Sequence, residues 1–416
     1  MIEFEQFRLA NGLNVVVAEN KKAPIVAFDL LYHVGSKNEN WGRTGFAHLF
    51  EHLMFEGSLH APGKLFDELL QNVGGENNAY TTEDLTNYYE LIPSHEVELA
   101  FWLESDRMRF LNINQDTFEN QRLVVIEERR QRVDNQPYGT AMEKLASMIY
   151  DKHPYRWPVI GYVDHLMDST LDDVTSFYQR FYSPDNATLI LSGDISLNRA
   201  QDLSEKYFGE FKASAGIKRD FDFDQVLISE KRDTIYDSVQ LPAFFMGFPT
   251  VSETHPDYLA LDLLADILSN GKSSRFYQDL VYNRRLAQSV SAFQEQNEHP
   301  GVFGLYGIVR PGVDIQTLED FTYGHIGKVA EYGVTEAELE KVKNLSISSV
   351  INRMQGVANI ADFMSRYAGV YQNPGYVNEL IQKVEAITTS DIQRVASTWF
   401  SPSNRAVLHY LPKVLS

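Results

Sequence analysis

Cysteine is missing altogether from the 416 residues. Its absence excludes disulfides, thiol nucleophiles and thiolate metal sites, so any zinc must be held by histidine and carboxylate. Basic charge is in deficit as well: 37 Lys and Arg against 57 Asp and Glu give a formal net charge of −20. A nucleic-acid partner needs a basic footprint and is not expected. The same charge keeps a surface solvated, and its sign would steer basic peptides inward. Long apolar runs are lacking too, and none approaches the roughly 18 residues of a membrane span. The stretch "MIEFEQFRLANG" has neither the basic start nor the apolar core of a secretory leader. The expectation is a soluble chain, cytoplasmic as it stands and periplasmic if a leader has been removed.

What is present is ordinary globular composition, 44% hydrophobic and 23% charged, with length for two domains of about 200 residues each. Two distant segments match. Residues 170 to 190, "TLDDVTSFYQRFYSPDNATLI", overlay residues 388 to 408, "TTSDIQRVASTWFSPSNRAVL", at one constant offset. Asp173 then falls on Asp391, Phe181 on Trp399, Ser183-Pro184 on Ser401-Pro402, and Asn186 on Asn404. Each copy reads as a Thr-capped amphipathic helix, a Pro-containing turn and an apolar strand. Such a match in register indicates an internal duplication of half the chain. The expected domains are 1–215 and 226–416, joined by a linker over 212–225 where charge thickens. Asn11-Gly12 predicts a hairpin, "PIVAFDLLYHVGS" and "LPAFFMGFP" predict strands, and "HPDYLALDLLADIL" starts a run of helices. Long helices segregated from antiparallel strands give an α+β class: two homologous domains, each a mainly antiparallel sheet packed with helices.

The segment "GFAHLFEHLMFEGS", residues 45 to 58, carries the chemistry. At roughly 100° per residue, Phe46, Leu49, Phe50, Leu53 and Met54 form one apolar stripe, and His48, Glu51 and His52 lie opposite. Core packing requires only the first stripe. Histidines at i and i+4 sit one turn apart and can share a metal ion, and Glu51 leans over the same face where a base could take a proton from water. A catalytic zinc needs a third protein ligand. Residues 118 to 139, "FENQRLVVIEERRQRVDNQPYG", read as a helix with adjacent carboxylates Glu127 and Glu128. Residue pattern alone does not choose between them, and either could instead pair with Arg129 or Arg130. His153 and His165 lie in polar, turn-rich surroundings and read as surface or supporting groups.

The inverted H-x-x-E-H helix is the inverzincin signature. With "GGENNAYTTED", "RLVVIEERRQRVDNQPYG" and "HPYRWPVIG" following in order, the chain resembles the pitrilysin, insulin-degrading enzyme and mitochondrial processing peptidase family, in its bacterial half-length branch. The resemblance implies that His48, His52 and Glu128 bind Zn2+ and that Glu51 is the general base. It implies too that Asn78, Ala79 and Tyr80 form an edge strand against which an extended peptide is laid, a mode that reads backbone more than side chain. The activity implied is zinc-dependent endopeptidase hydrolysis of peptides or unfolded polypeptides in an enclosed chamber.

Two features depart from the family pattern. Double-length members carry a glutamate where this chain has Gln121. Family members also place an Arg and a Tyr, seven apart, in the later half, where they bind substrate backbone and steady the oxyanion. The matching stretch "LVYNRRLAQSV", residues 280 to 290, has Val281 and Gln288 instead, and Arg284 and Arg285 are wrongly spaced to substitute. The resemblance therefore implies a metal-bearing subunit of a heterodimer whose second family chain supplies the Arg/Tyr pair, a homodimer being the lesser expectation. A non-catalytic scaffold subunit of the same fold is the alternative, against which the intact motif speaks.

Overall fold

The hairpin turn forms where the sequence allows a left-handed residue: Gly12 has φ +98°, and a Cβ there would sit 2.9 Å from Asp185 Cβ. In the computed structural model, residues 1–214, 217, 221, 222 and 227–413 are described. The first half of the chain forms β1 (Glu5–Arg8), β2 (Asn14–Glu19), β3 (Ile25–Tyr32), α1 (Phe46–Leu53), α2 (Leu65–Asn72), β4 (Glu76–Thr81), β5 (Thr86–Pro93), α3 (Val97–Phe110), α4 (Gln115–Arg129), α5 (Ala141–Ile149), α6 (Val163–Met167), α7 (Leu171–Phe181), β6 (Ala187–Gly193) and α8 (Leu197–Phe208). The second half forms β7 (Lys231–Asp237), β8 (Ala243–Pro249), α9 (Tyr258–Ser269), β9 (Ala287–Gln294), β10 (Val302–Val309), α10 (Ile315–Tyr332), α11 (Glu336–Arg353), α12 (Val357–Val370), α13 (Leu380–Ala386), α14 (Thr389–Trp399) and β11 (Ala406–Pro412).

The class is α+β with two sheets, as expected. One sheet has the order β1-β2-β6-β3-β5-β4 and the other β7-β11-β8-β10-β9. All neighbours run antiparallel except β2 with β6 and β11 with β7. The duplicated segments repeat their cap and turn hydrogen bonds. Thr170 and Thr388 cap α7 and α14 by accepting from Asp173 N and Asp391 N, each at 3.2 Å, and each pair closes a capping box. In the turns that follow, Asn186 N donates to Ser183 O at 3.0 Å and Asn404 N to Ser401 O at 2.9 Å. The helix expected over 118–139 stops sooner: α4 ends at Arg129, a wider turn covers Arg130–Asp134, and Tyr138 takes φ 62°.

The described residues group into two compact units, and these are not sequence halves. Unit 1 comprises 1–129, 157–221 and 350–380; unit 2 comprises 130–156, 222–349 and 381–416. In unit 1 one sheet face packs Phe28, Leu30 and Tyr32 on α1, α3 and α7, and α12 covers the face bearing Leu31. In unit 2, Phe244, Met246 and Phe248 pack with α9, while α5 lies on β8 and β11 through Leu145 and Ile149. Each half of the sequence thus lends one helix to the unit built mainly from the other. Of the expected linker, residues 215, 216, 218–220 and 223–225 lie outside the described residues. No helix among the described residues is long and apolar enough to cross a membrane.

Candidate metal centre

α1 begins at Gly45, whose φ of +89° suits glycine, and a Cβ there would press to 2.7 Å from Ile160 O. Glycine has no side chain to cap the helix, and Glu39 does so from a distance. Its carboxylate accepts from Gly45 N at 2.9 Å and Ala47 N at 2.8 Å. Burial pushes the Glu39 carboxyl up to about 8, against the pull of those backbone N–H groups. Phe46, Leu49, Phe50, Leu53 and Met54 are all buried, each worth about 1.5–3 kcal/mol of apolar burial. Phe50 stacks on Tyr178, ring centroids 5.5 Å apart. The apolar stripe therefore fixes the rotation of α1, and His48, Glu51 and His52 are left partly exposed on the other side.

α4 meets that face. Phe118, Gln121, Val125 and Ile126 point inward, and Glu128 follows at helical spacing from Gln121 and Val125 while Glu127 is exposed. That spacing from the buried stripe is the signal that separates the two glutamates. Glu128 Oε2 lies 3.6 Å from His48 Nε2 and 3.2 Å from His52 Nε2, and the imidazole centroids are 4.9 Å apart. Among the described residues, this is the one group of three or more His, Cys, Asp or Glu close enough to hold a metal ion, its donor atoms all within 4.8 Å of one another. Tetrahedral zinc bonds of about 2.0–2.2 Å put neighbouring donors about 3.3–3.6 Å apart, close to the 3.2 and 3.6 Å between Glu128 and the two imidazoles, so this donor set would fit zinc.

The carboxylate of Glu51 turns to the sheet. Thr81 Oγ1, at the end of β4, donates to Glu51 Oε2 at 2.6 Å. β4 is an edge strand, bonded to β5 alone. Its side chains alternate: Ala79 packs on the α1 side, and Tyr80 Oη donates to Asp362 Oδ1 of α12 at 2.8 Å. Ala79 N donates to Asn78 Oδ1 at 2.9 Å, so this N–H is satisfied by its neighbour's side chain. The β4–β5 turn is held by the buried ion pair of Lys37 with Asp84 at 2.9 Å, and by Ser36 N and Lys37 N donating to Thr82 O and Glu83 O. Sequence reasoning passed over Thr81, Glu39 and the Lys37–Asp84 pair. Only Thr81, next to the Asn78–Tyr80 run, offered a signal.

The two departures have physical counterparts. Gln121 Nε2 donates to Glu56 Oε1, so a carboxylate does reach Gln121, from the other helix's end. In unit 2, Val281 packs against the core and Gln288 is exposed on β9. Arg284 Nε donates to Asp279 Oδ1 at 2.8 Å and its guanidinium stacks 4.3 Å from the Phe321 centroid; Arg285 is exposed with φ 56°. His153 is buried, not on the surface: its ring lies 4.2 Å from that of Tyr155, and Tyr155 N donates to its Nδ1 at 3.2 Å. The local polarity misled because the ring of His299, distant in sequence, lies 5.2 Å from it. His165 supports α1 indirectly, its Nδ1 2.8 Å from Thr44 Oγ1.

Comparison with known proteins gives this architecture its class. A family model described as Insulinase (Peptidase family M16) matches residues 14–162, and one described as Peptidase M16 inactive domain matches residues 168–346. The fold is that of a metallopeptidase made of two related halves. The chain belongs to the insulinase family, peptidase family M16, in its bacterial half-length branch. It is 30% identical over 412 residues to the zinc protease PqqE of Helicobacter pylori, covering 98% of this chain and 93% of that one. It is 23% identical over 412 residues to a probable mitochondrial-processing peptidase subunit beta of Arabidopsis thaliana, covering 96% and 76%. A crystal structure of a protease from Helicobacter pylori superposes with a TM-score of 0.93 at 28% identity, over 99% of this chain and all of the other.

Proposed function

We propose that the protein is a zinc-dependent endopeptidase acting on peptides or unfolded polypeptides. His48, His52 and Glu128 hold the metal, and Glu51 is the general base. The observation that carries this reading is the convergence of Glu128 Oε2 on both imidazoles, 3.2 and 3.6 Å away, from a separate helix. Bound there, zinc would supply a water of lowered pKa and a Lewis acid for the substrate carbonyl. Glu51 is placed to take a proton from water as its oxygen bonds to the carbonyl carbon, and to return that proton to the amine nitrogen as the C–N bond breaks. Asn78, Ala79 and Tyr80 offer the edge on which an extended substrate adds a strand, its carbonyl replacing Asn78 Oδ1 at Ala79 N. A scaffold has no use for a carboxylate beside its metal ligands and held by a neighbouring strand, which favours catalysis.

Glu51→Gln should keep one zinc per chain and lose cleavage of an unstructured peptide by about 10²–10⁴-fold. Cleavage within threefold of the parent would defeat the assignment. With Val281 and Gln288 at the Arg/Tyr positions, the chain is proposed to be the metal-bearing subunit of a heterodimer. Purified alone it should turn over weakly and gain at least about tenfold on adding a family chain that carries the Arg/Tyr pair. Full turnover alone would remove that part.

A further inference from the structure

We infer that Thr81 is a positioning residue for Glu51, registering the edge strand β4 with the base. This rests on the endopeptidase reading and adds to it a link between where substrate docks and where the proton goes. The contact is an O–H donated to a carboxylate oxygen at 2.6 Å, a charge-assisted bond in the strong class. Its donor is not a loose side chain. Thr81 is the last residue of β4, paired with Thr86 across the hairpin, and a β-branched side chain has few rotamers.

The turn behind it is closed several times over. Thr82 N donates to Leu85 O at 2.8 Å, and Thr82 Oγ1 accepts from Asp84 N and Leu85 N, each at 3.1 Å. The buried Lys37–Asp84 pair ties the turn to the segment before α1. On the acceptor side, α1 cannot rotate without exposing Leu49, Phe50 and Leu53. One oxygen of Glu51 is thereby held between two rigid elements, which is how a base is kept oriented before substrate arrives. Because β4 alternates, Tyr80 reaches α12 while Thr81 reaches α1. A chain added along the β4 edge therefore meets a backbone whose terminal side chain already grips the base.

The test uses the full chain, an internally quenched unstructured peptide and zinc analysis, with Thr81→Val, Thr81→Ala and Thr81→Ser beside the parent. Val keeps the shape and removes the hydroxyl; Ala guards against a misfit of Val; Ser restores the donor. Thr81→Val and Thr81→Ala should lower kcat about 10–100-fold, with KM within about twofold and one zinc per chain retained, and Thr81→Ser should return kcat to within about threefold of the parent. A kcat unchanged in Val and Ala, a loss confined to KM, or a serine variant as slow as valine overturns the inference while leaving the endopeptidase reading intact. A parent that binds zinc but cleaves nothing, with or without a partner chain, overturns both.

Discussion

Unit 2 repeats the plan of unit 1 without the histidine pair of α1. Strand orders β2-β6-β3-β5-β4 and β7-β11-β8-β10-β9 correspond one to one, and in each unit a helix follows the long central strand. Laying α9 on α1 with one constant offset puts Leu263 on Leu49, Leu264 on Phe50, Ile267 on Leu53 and Gly271 on Gly57. Both glycines have positive φ, 78° and 96°. The apolar stripe is the same on both helices, and all six apolar residues are buried. The polar faces differ: His48, Glu51 and His52 fall on Asp262, Ala265 and Asp266. One backbone thus presents two imidazoles and a carboxylate in one unit, and two carboxylates with no imidazole in the other. What makes the candidate metal centre is the donor set, while the scaffold alone carries no metal chemistry.

The largest difference should appear in zinc content. Losing a supporting group around a zinc site already costs about 10–100-fold in affinity, so His52→Ala should lower zinc affinity by more than about 100-fold. Asp266→Ala, at the matching place on α9, should leave the metal at one per chain. Elemental analysis of the two variants after dialysis checks this. Zinc retained at full stoichiometry in His52→Ala, or lost in Asp266→Ala, would break the contrast.

Packing should respond alike in the two units, because there the helices are equivalent. Phe50→Ala and Leu264→Ala each empty a fully buried position, at about 3–5 and 2–5 kcal/mol respectively. Hydrogen exchange should localise the losses separately, with β3 amides opening more easily in the first variant and β8 amides in the second. A change of less than about 1 kcal/mol in either would mean that the stripe does not hold its helix.

The same division explains how much could be read before the structure. Patterns within a helix or turn were legible: the Thr170 and Thr388 caps, the Asn11-Gly12 hairpin and the two faces of α1 follow from spacing. So was the duplication, since helix, turn and strand repeat in register. The choice of Glu128 needed either family resemblance or the inward stripe of α4, and the structure brings that residue to the histidines. The rest depends on contacts between distant segments. Nothing local says that α5 packs on β8 and β11, or α12 on β3 and β6. Nothing local announces that Glu39 caps α1, or that Arg107 is buried over Tyr88 and reaches Glu90 of β5. Long-range packing overrode local polarity at His153 for the same reason.

The smallest effect, and the finest test of the comparison, is in the charge of α9. Without a cation, two carboxylates one turn apart are costly to ionise together. Burial first and the charge of Asp266 second push Asp262 up to about 7 from 3.8. Asp266 is raised in turn by burial, while Asn270 and Lys341 oppose the rise. A carboxyl whose folded pKa is raised binds its proton more tightly folded than unfolded, so its stabilising contribution is complete below about pH 4. It fades as pH climbs towards 7, and little changes beyond. Asp262→Asn keeps the shape and is neutral throughout. Its stability relative to the parent should rise by about 2–4 kcal/mol between pH 4 and pH 8, read as a widening gap between their melting curves. Glu39 and Asp29 of unit 1, raised by burial to about 8 and about 7, are common to both proteins and drop out of the difference. A gap that stays constant across that range, or narrows, would mean that Asp262 is ionised at neutral pH like an ordinary surface carboxylate. The polar face of α9 would then be a solvated surface, and its correspondence with the histidine face of α1 would be one of position only.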